Sequence, residues 1–450
     1  MSAELTAYER SLAEAIIGVD TLFGGDVNNP SGMGRFIADC YFSGKPLPAA
    51  YHDPLAAKLR ESGGVGAKAP DKATCLAYLA AHDLRGRVQD VRREAAGMDA
   101  LRRAYVEGLA GSLETMLDLV AEILGEGPKV DYARCVFASN GKPPRYSRTD
   151  EDRALVRDLL KRAGFDPASH GGDLLCAVDA WRGAHRVRRE EIRTVSDRLV
   201  PRLDQMAAAR LLPHLPRELH GVPRANIEFL PIENAWFSGS MNYLGRKRKP
   251  DGEPEYEATY EINAELEISR PEFEQLVAHE VVPGHVMTSA IIQNLYHRGR
   301  LGFEATILTM NSRGATLFEG IANASVYMAY GARDLDGLPS DELRLGVKLA
   351  ELQDKAKTNA SYLIWAEGRS GEETAARIRE ECLVSTERAD KLARAWGGHP
   401  LLGRMYLPSY QYGLELVLDL LRTHGESKAV PAMYSVHGLV DCVTVVQAIR

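Results

Sequence analysis

The stretch Phe273-Glu-Gln-Leu-Val-Ala-His-Glu-Val-Val-Pro-Gly-His285 places His279, Glu280 and His285 together shortly after a helix start. Two imidazoles with a carboxylate beside one of them are the parts of a metal site with its own base. In the H-E-x-x-H pattern the histidines stand four apart, so one helical face offers both to the metal while the adjacent Glu reaches a bound water. Here they stand six apart. At about 100° per residue, this spacing turns the second histidine roughly 120° from the first and carries it about 9 Å along the axis, so a regular helix cannot chelate with the pair. Pro283 and Gly284 lie between them. Proline removes a backbone donor and clashes with the preceding turn, and glycine tolerates unusual dihedrals. The expectation is that the helix breaks between Val281 and His285 and that the break swings His285 back towards His279.

Upstream, Ser269-Arg-Pro-Glu272 sets a serine three residues before a glutamate, with proline in the first turn, which is a helix start. Phe273, Leu276 and Val277 would supply the buried face of that helix and leave positions 279 and 280 facing a cleft. Before it, Ile227–Phe237 and Glu255–Asn263 alternate like strands across a Gly-, Pro- and Lys-rich turn, which predicts a small antiparallel sheet inserted in an otherwise helical chain. An edge strand there would be available to bind an extended peptide by its backbone.

A catalytic zinc commonly takes three protein ligands and leaves a position for water, His₂Glu being one recurrent set. Glu319 is the candidate third ligand. It lies on a later helix rich in small residues, between Phe318 and Gly320, a setting that suits a carboxylate pointing inwards. Asn323, four residues on, would share its face and hydrogen-bond a ligating imidazole from behind. Glu280 is then left as general base, taking a proton from water and delivering it to the leaving nitrogen.

The remainder of the chain reads as helix. Leucine and valine spacings of three and four run from about 71 to 125, Thr149-Asp-Glu-Asp152 opens another helix, and 173 to 212 reads as a long charged one. Two amphipathic helices follow between 340 and 396, and a tyrosine-rich start leads into a last one over 402–423. The loop Gly24–Gly34 lacks the Gly-Lys-Ser/Thr ending of a phosphate loop. There is no internal repeat, and the expected organisation is an N-terminal helical lobe over 1–220 and a catalytic region over 221–450 within one unit.

Composition excludes several classes of function. The 450 residues carry a net charge of -7, which disfavours nucleic acid as a partner, and Arg246–Lys249 beside Pro250-Asp-Gly252 reads as a solvated turn. The six cysteines form no C-x-x-C pair and read as reduced thiols of a cytoplasmic protein. Neither a secretory leader nor a membrane-length apolar stretch is expected, so the reading is a soluble protein with no membrane partner.

His279-Glu-Val-Val-Pro-Gly-His285 matches in full the His-Glu-x-x-Pro-Gly-His motif of the domain-of-unknown-function 885 family, which the chain resembles over roughly residues 225 to 425. Glu319-Gly320 resembles the start of that family's Glu-Gly-Trp-Ala segment, with Ile321 in place of the tryptophan. Tyr410-Gln-Tyr-Gly413 is similar to its Tyr-x-x-Gly segment. The resemblance implies a mainly α, zincin-like metallopeptidase architecture, with Zn²⁺ held by His279, His285 and Glu319, and with Glu280 as general base. Tyr410 would donate to the oxyanion of a tetrahedral intermediate, although Tyr406, Tyr410 and Tyr412 also suit plain packing. Asn234-Ala-Trp236 is similar to the substrate-gripping edge segment of thermolysin-like proteases. The chain departs from the family where Arg404-Met-Tyr406 replaces Pro-Gly-Gln and where Val286 follows the second histidine. The expected function is a zinc-dependent hydrolase that cleaves an amide bond in a peptide or peptide-like small molecule. Two alternatives are a metal-dependent lyase or tailoring enzyme acting on a modified amino acid, and a catalytically silent binding protein of the same fold.

Overall fold

Most of the chain is helix, 64% against 4% strand, as its three- and four-residue apolar spacings require. The computed structural model describes residues 4–29, 37–232, 239–263 and 268–449. Asn234, Ala235 and Trp236 lie outside them, as does part of the Gly24–Gly34 loop. Helix α1 (Ala7–Leu22) opens with a capping box between Thr6 and Glu9 and is buried from Ser11 onward. It packs in one apolar cluster that runs from Leu12 to Ile449 and includes α2 (Ala100–Ile123), so the core joins residues from both ends of the chain. Among the described residues no helix is long and apolar enough to cross a membrane.

The charged stretch from 173 to 212 is two helices where the sequence suggests one. Leu174–Ala184 stops, Arg186 forms a bridge to Ser269, and α3 (Ile192–Arg210) then begins. The backbone between them is used to hold the start of the motif helix, a tertiary demand that local periodicity does not reveal.

The sheet corrects a second expectation. It has three strands, β1 (Ile227–Ile232), β2 (Gly239–Tyr243) and β3 (Ala258–Asn263), in the order β1-β3-β2. β2 pairs antiparallel with β3, but β1 runs parallel to it, Ile227 opposite Ala258, so the sheet is mixed. The unforeseen β2 takes the antiparallel edge of β3, and β1 is left the other edge. The long Gly-, Pro- and Lys-rich connection follows β2.

From the sheet the chain enters α4 (Arg270–Glu280). Its start is the expected capping box: Ser269 accepts from the Glu272 amide, and Glu272 accepts in turn from the Ser269 amide. Such a cap contributes about 1 kcal/mol. Arg182 forms a two-pronged ion pair with the same glutamate at 2.8 and 3.0 Å, fixing the helix start to the preceding lobe. Phe273 and Val277 are fully buried. The later elements that matter here are α5 (His285–His297), α6 (Arg313–Asn323), α7 (Asp341–Trp365) and α8 (Ser409–His424).

Candidate metal centre

Helix α4 ends at Glu280 and α5 begins at His285, so the break falls where Pro283-Gly284 predicts it. The four-residue link folds back on the end of α4. The Gly284 amide donates to Ala278 O at 3.1 Å, and the Met287 amide reaches back to Val281 O at 3.1 Å. A Cβ on Gly284 would lie 1.8 Å from His279 O, so only glycine lets the link sit this close. Tyr434 donates to Pro283 O at 2.7 Å and holds the link from outside. Local chain chemistry therefore starts α5 beside the last turn of α4 instead of one and a half turns further along the same axis.

The two imidazoles consequently meet edge to face, ring centres 4.6 Å apart. Glu319 on α6 completes the group: its Oε2 lies 3.5 Å from His279 Nε2 and 3.8 Å from His285 Nε2. One donor atom from each of the three residues lies within 4.8 Å of the other two. All three side chains are largely or fully buried, with 12, 8 and 4% of their surface exposed. The donors are two nitrogens and a carboxylate oxygen, a set suited to Zn²⁺ and accepted by other divalent metals. Glu319 Oε2 and His285 Nδ1 are buried without a hydrogen-bond partner, a costly state for polar atoms and one that a cation beside the carboxylate would relieve in part. These residues fit a divalent ion.

Electrostatics favour the same reading. Burial, aided by the nearby Lys357 charge, pushes His279 down to about 3, and burial with the neighbouring His279 takes His285 well below its ordinary value. Both rings are therefore neutral at physiological pH, the form that binds metal. Burial raises Glu319 to about 7 despite the hydrogen bond from Tyr406. Glu280, 8% exposed, is pushed well above the carboxylate range by burial and then by the charge of Glu319. A bound dication would oppose both shifts. The Met241 amide on edge strand β2 acts on Glu280 in the opposite direction, so the sheet borders the Glu280 carboxyl directly.

Behind the three donors runs a ring of polar contacts. His279 Nδ1 meets Asn323 Oδ1 at 2.8 Å, as expected of Asn323 from its place on α6. Asn323 Nδ2 donates to Asp354 Oδ2 at 2.8 Å and to the Tyr410 carbonyl at 3.1 Å. Lys357 donates to Asp354 Oδ1 at 2.9 Å, and its ammonium stands 3.1 Å from the centre of the Tyr410 ring. The Tyr410 hydroxyl donates to that of Tyr406 at 3.1 Å, and Tyr406 donates to Glu319 Oε1. On the other side, His285 stacks on Phe318, ring centres 4.3 Å apart.

Tyr410, singled out from the sequence as an oxyanion donor, thus stands one hydroxyl behind Tyr406. Its segment comes close because Gly413 and Gly320 face each other: a Cβ on Gly320 would meet Gly413 O at 2.4 Å. Asp354 and Lys357 lie on one of the two helices that read only as amphipathic between 340 and 396. The signal was present in Ala356-Lys-Thr-Asn-Ala-Ser361, where small residues surround the lysine and pack the turn, leaving Lys357 8% exposed. Asp39 is a further unforeseen neighbour, close enough for its charge to raise both Glu280 and Glu319.

No protein-family model matches the chain, and no curated protein does. Similar solved structures include a "putative lipoprotein" from Colwellia psychrerythraea, 14% identical, with a TM-score of 0.51 over 84% of this chain and 69% of that one. Another is a "putative lipoprotein of unknown function" from Shewanella oneidensis, 14% identical, with a TM-score of 0.50 over 88% of this chain and 78% of the other. At this identity the likeness concerns the fold alone.

Proposed function

We propose that the protein is a zinc-dependent hydrolase of zincin-like architecture that cleaves an amide bond in a peptide or peptide-like small molecule. The observation that carries this reading is the convergence of His279, His285 and Glu319 donor atoms within 4.8 Å, with Glu280 beside the first of them. His279, His285 and Glu319 would hold the ion. When bound, Zn²⁺ supplies Lewis acidity that polarises a carbonyl and acidifies water.

The chain's own residues supply the rest. Glu280, at the end of α4, accepts a proton from the attacking water and returns it to the departing nitrogen, and its buried setting keeps that proton from bulk solvent. The Tyr406–Tyr410 pair brings hydroxyl donors to the Glu319 side, where a developing oxyanion can be met. The edge strand β2 borders Glu280 and offers backbone groups to an extended substrate. A purely structural metal site has no use for a carboxylate beside its ligand, which separates this reading from a silent binding protein. Six cysteines present as thiols support a cytoplasmic location, against the lipoprotein naming of the two similar structures; cell fractionation distinguishes these.

The test is metal analysis of the purified chain followed by hydrolysis of a dipeptide and N-acyl amino acid panel. We expect one zinc per chain, and Glu280→Gln is expected to retain it while losing roughly 10²–10⁴ of the rate. Stoichiometric zinc with no amide cleaved sinks the hydrolase and leaves the lyase reading; a chain that takes up no divalent metal sinks both.

A further inference from the structure

The amide of Asn323 has three polar neighbours, and only one orientation satisfies them. At its Nδ2 end lie two acceptors, the Asp354 carboxylate at 2.8 Å, whose other oxygen takes the Lys357 ammonium at 2.9 Å, and the Tyr410 backbone carbonyl at 3.1 Å. The NH₂ must face them, so the carbonyl oxygen faces His279 Nδ1 at 2.8 Å. An acceptor at Nδ1 requires the hydrogen there and leaves Nε2, the nitrogen turned to Glu319, with its lone pair. Lys357 fixes the far end by occupying Asp354 Oδ1, which leaves Oδ2 for Asn323. Asn323, Asp354 and Lys357 are more than nine-tenths buried and His279 is 12% exposed, so water offers little alternative partner.

We propose that Asp354 is a positioning residue: with the Tyr410 carbonyl it sets the Asn323 amide, and through it selects the His279 tautomer whose Nε2 can ligate. The inference rests on the metal reading above but makes a claim about the metal-free chain as well. His285 has no such control. Its Nδ1 is without a hydrogen-bond partner, and its ring is placed by stacking on Phe318.

Substitution at Asp354 separates this role from packing. In Asp354→Asn the single remaining carbonyl goes to the Lys357 ammonium, so an NH₂ group faces Asn323. That NH₂ pulls the Asn323 carbonyl away from His279 and presents the imidazole with a donor, favouring the tautomer protonated at Nε2. Asp354→Ala removes the demand without reversing it, and the Tyr410 carbonyl still holds the amide. A structural role ranks the two the other way, since asparagine keeps the shape of aspartate and alanine leaves a hole.

Two measurements on the full chain test this. Nitrogen NMR of ¹⁵N-histidine-labelled, metal-free protein, with the His279 signals assigned by their loss in His279→Gln, reads the tautomer directly. We expect Nδ1–H in wild type and Nε2–H in Asp354→Asn. Zinc affinity by competition with a chelator is expected to fall about 10–100-fold in Asp354→Asn and less than about tenfold in Asp354→Ala. In an Asn323→Ala background, Asp354→Asn should cost nothing more. An Nε2–H wild-type His279, or a larger zinc loss in the alanine variant than in the asparagine one, overturns the proposal; the wild-type spectrum decides even if a variant does not fold. The expected tautomers in a chain that binds no zinc would leave Asp354 in its role and defeat the metal reading alone.

Discussion

Two of the buried glutamates, Glu304 at 1% exposure and Glu319 at 3%, each accept a hydrogen bond from a tyrosine. Their other partners differ. Glu304 is gripped by Arg102 through two contacts of 2.6 and 3.0 Å, with Tyr8 completing the group at 3.1 Å. Its charge is neutralised within the chain, and it ties α1 and α2 to the segment that follows α5. Glu319 faces two imidazoles that burial keeps neutral. The first cluster is a finished ion pair. In the second, Glu319 Oε2 has no hydrogen-bond partner among the described residues, and the group sits where α4, α5 and α6 converge. A fold stabilises buried carboxylates by pairing them; an incompletely paired one facing two neutral imidazoles is what the metal reading proposed above calls for.

The comparison can be broken most strongly at the finished pair. Arg102→Ala leaves the Glu304 carboxylate buried without its cation, which typically costs about 3–5 kcal/mol. Urea unfolding of the metal-free protein should show that loss, and zinc affinity of the folded fraction should not change. An Arg102 variant as stable as wild type would mean that Glu304 is no better neutralised than Glu319.

The unfinished cluster should respond to pH in a way set by its sign. Glu319 has its folded-state value raised from 4.5 to about 7 by burial. A raised carboxyl contributes stability that is fully present below its unfolded value and lost as pH rises through the folded one. Metal-free wild type should therefore lose stability relative to Glu319→Gln between about pH 4.5 and 7, by roughly 3 kcal/mol. Thermal melts of the two proteins across this window provide the check. Zinc added above pH 7 should return the loss to wild type and do nothing for the variant. Parallel pH profiles would show that burial does not raise the Glu319 carboxyl above its unfolded value.

Much of this site was legible in the sequence because its parts are local. The Ser269–Glu272 box announces α4, Pro283-Gly284 announces the break, and Glu319 stands out as an acid between Phe318 and Gly320 on a helix of small residues. Position in the fold was legible only where it follows from such local rules. The parallel placement of β1, the division of 173–212 at the Arg186–Ser269 bridge and the approach of α7 all depend on partners far along the chain. Asp354 and Lys357 show this most clearly. Three residues apart on a charged helix, they have the pattern of a solvated ion pair, and only the packing of α7 against the site turns them into the support of Asn323.

The smallest effect gives the finest distinction between the two glutamates, because it removes the feature they share. Tyr8→Phe leaves Glu304 with both Arg102 contacts, so the loss is one hydrogen bond, about 1 kcal/mol. Tyr406→Phe removes the donor on Glu319 Oε1, and that bond is one of the influences holding the Glu319 value down. Without it the carboxyl keeps its proton to higher pH, and zinc must displace that proton to bind. The stability change in metal-free Tyr406→Phe should again be about 1 kcal/mol or less, but zinc affinity should fall near pH 6 to 7 and recover towards wild type as pH rises above that range. Chelator competition at a series of pH values reads this directly. A deficit that stays constant with pH would assign Tyr406 to orienting Glu319 by geometry alone, and one that is absent would place the hydroxyl's role with substrate instead of the metal.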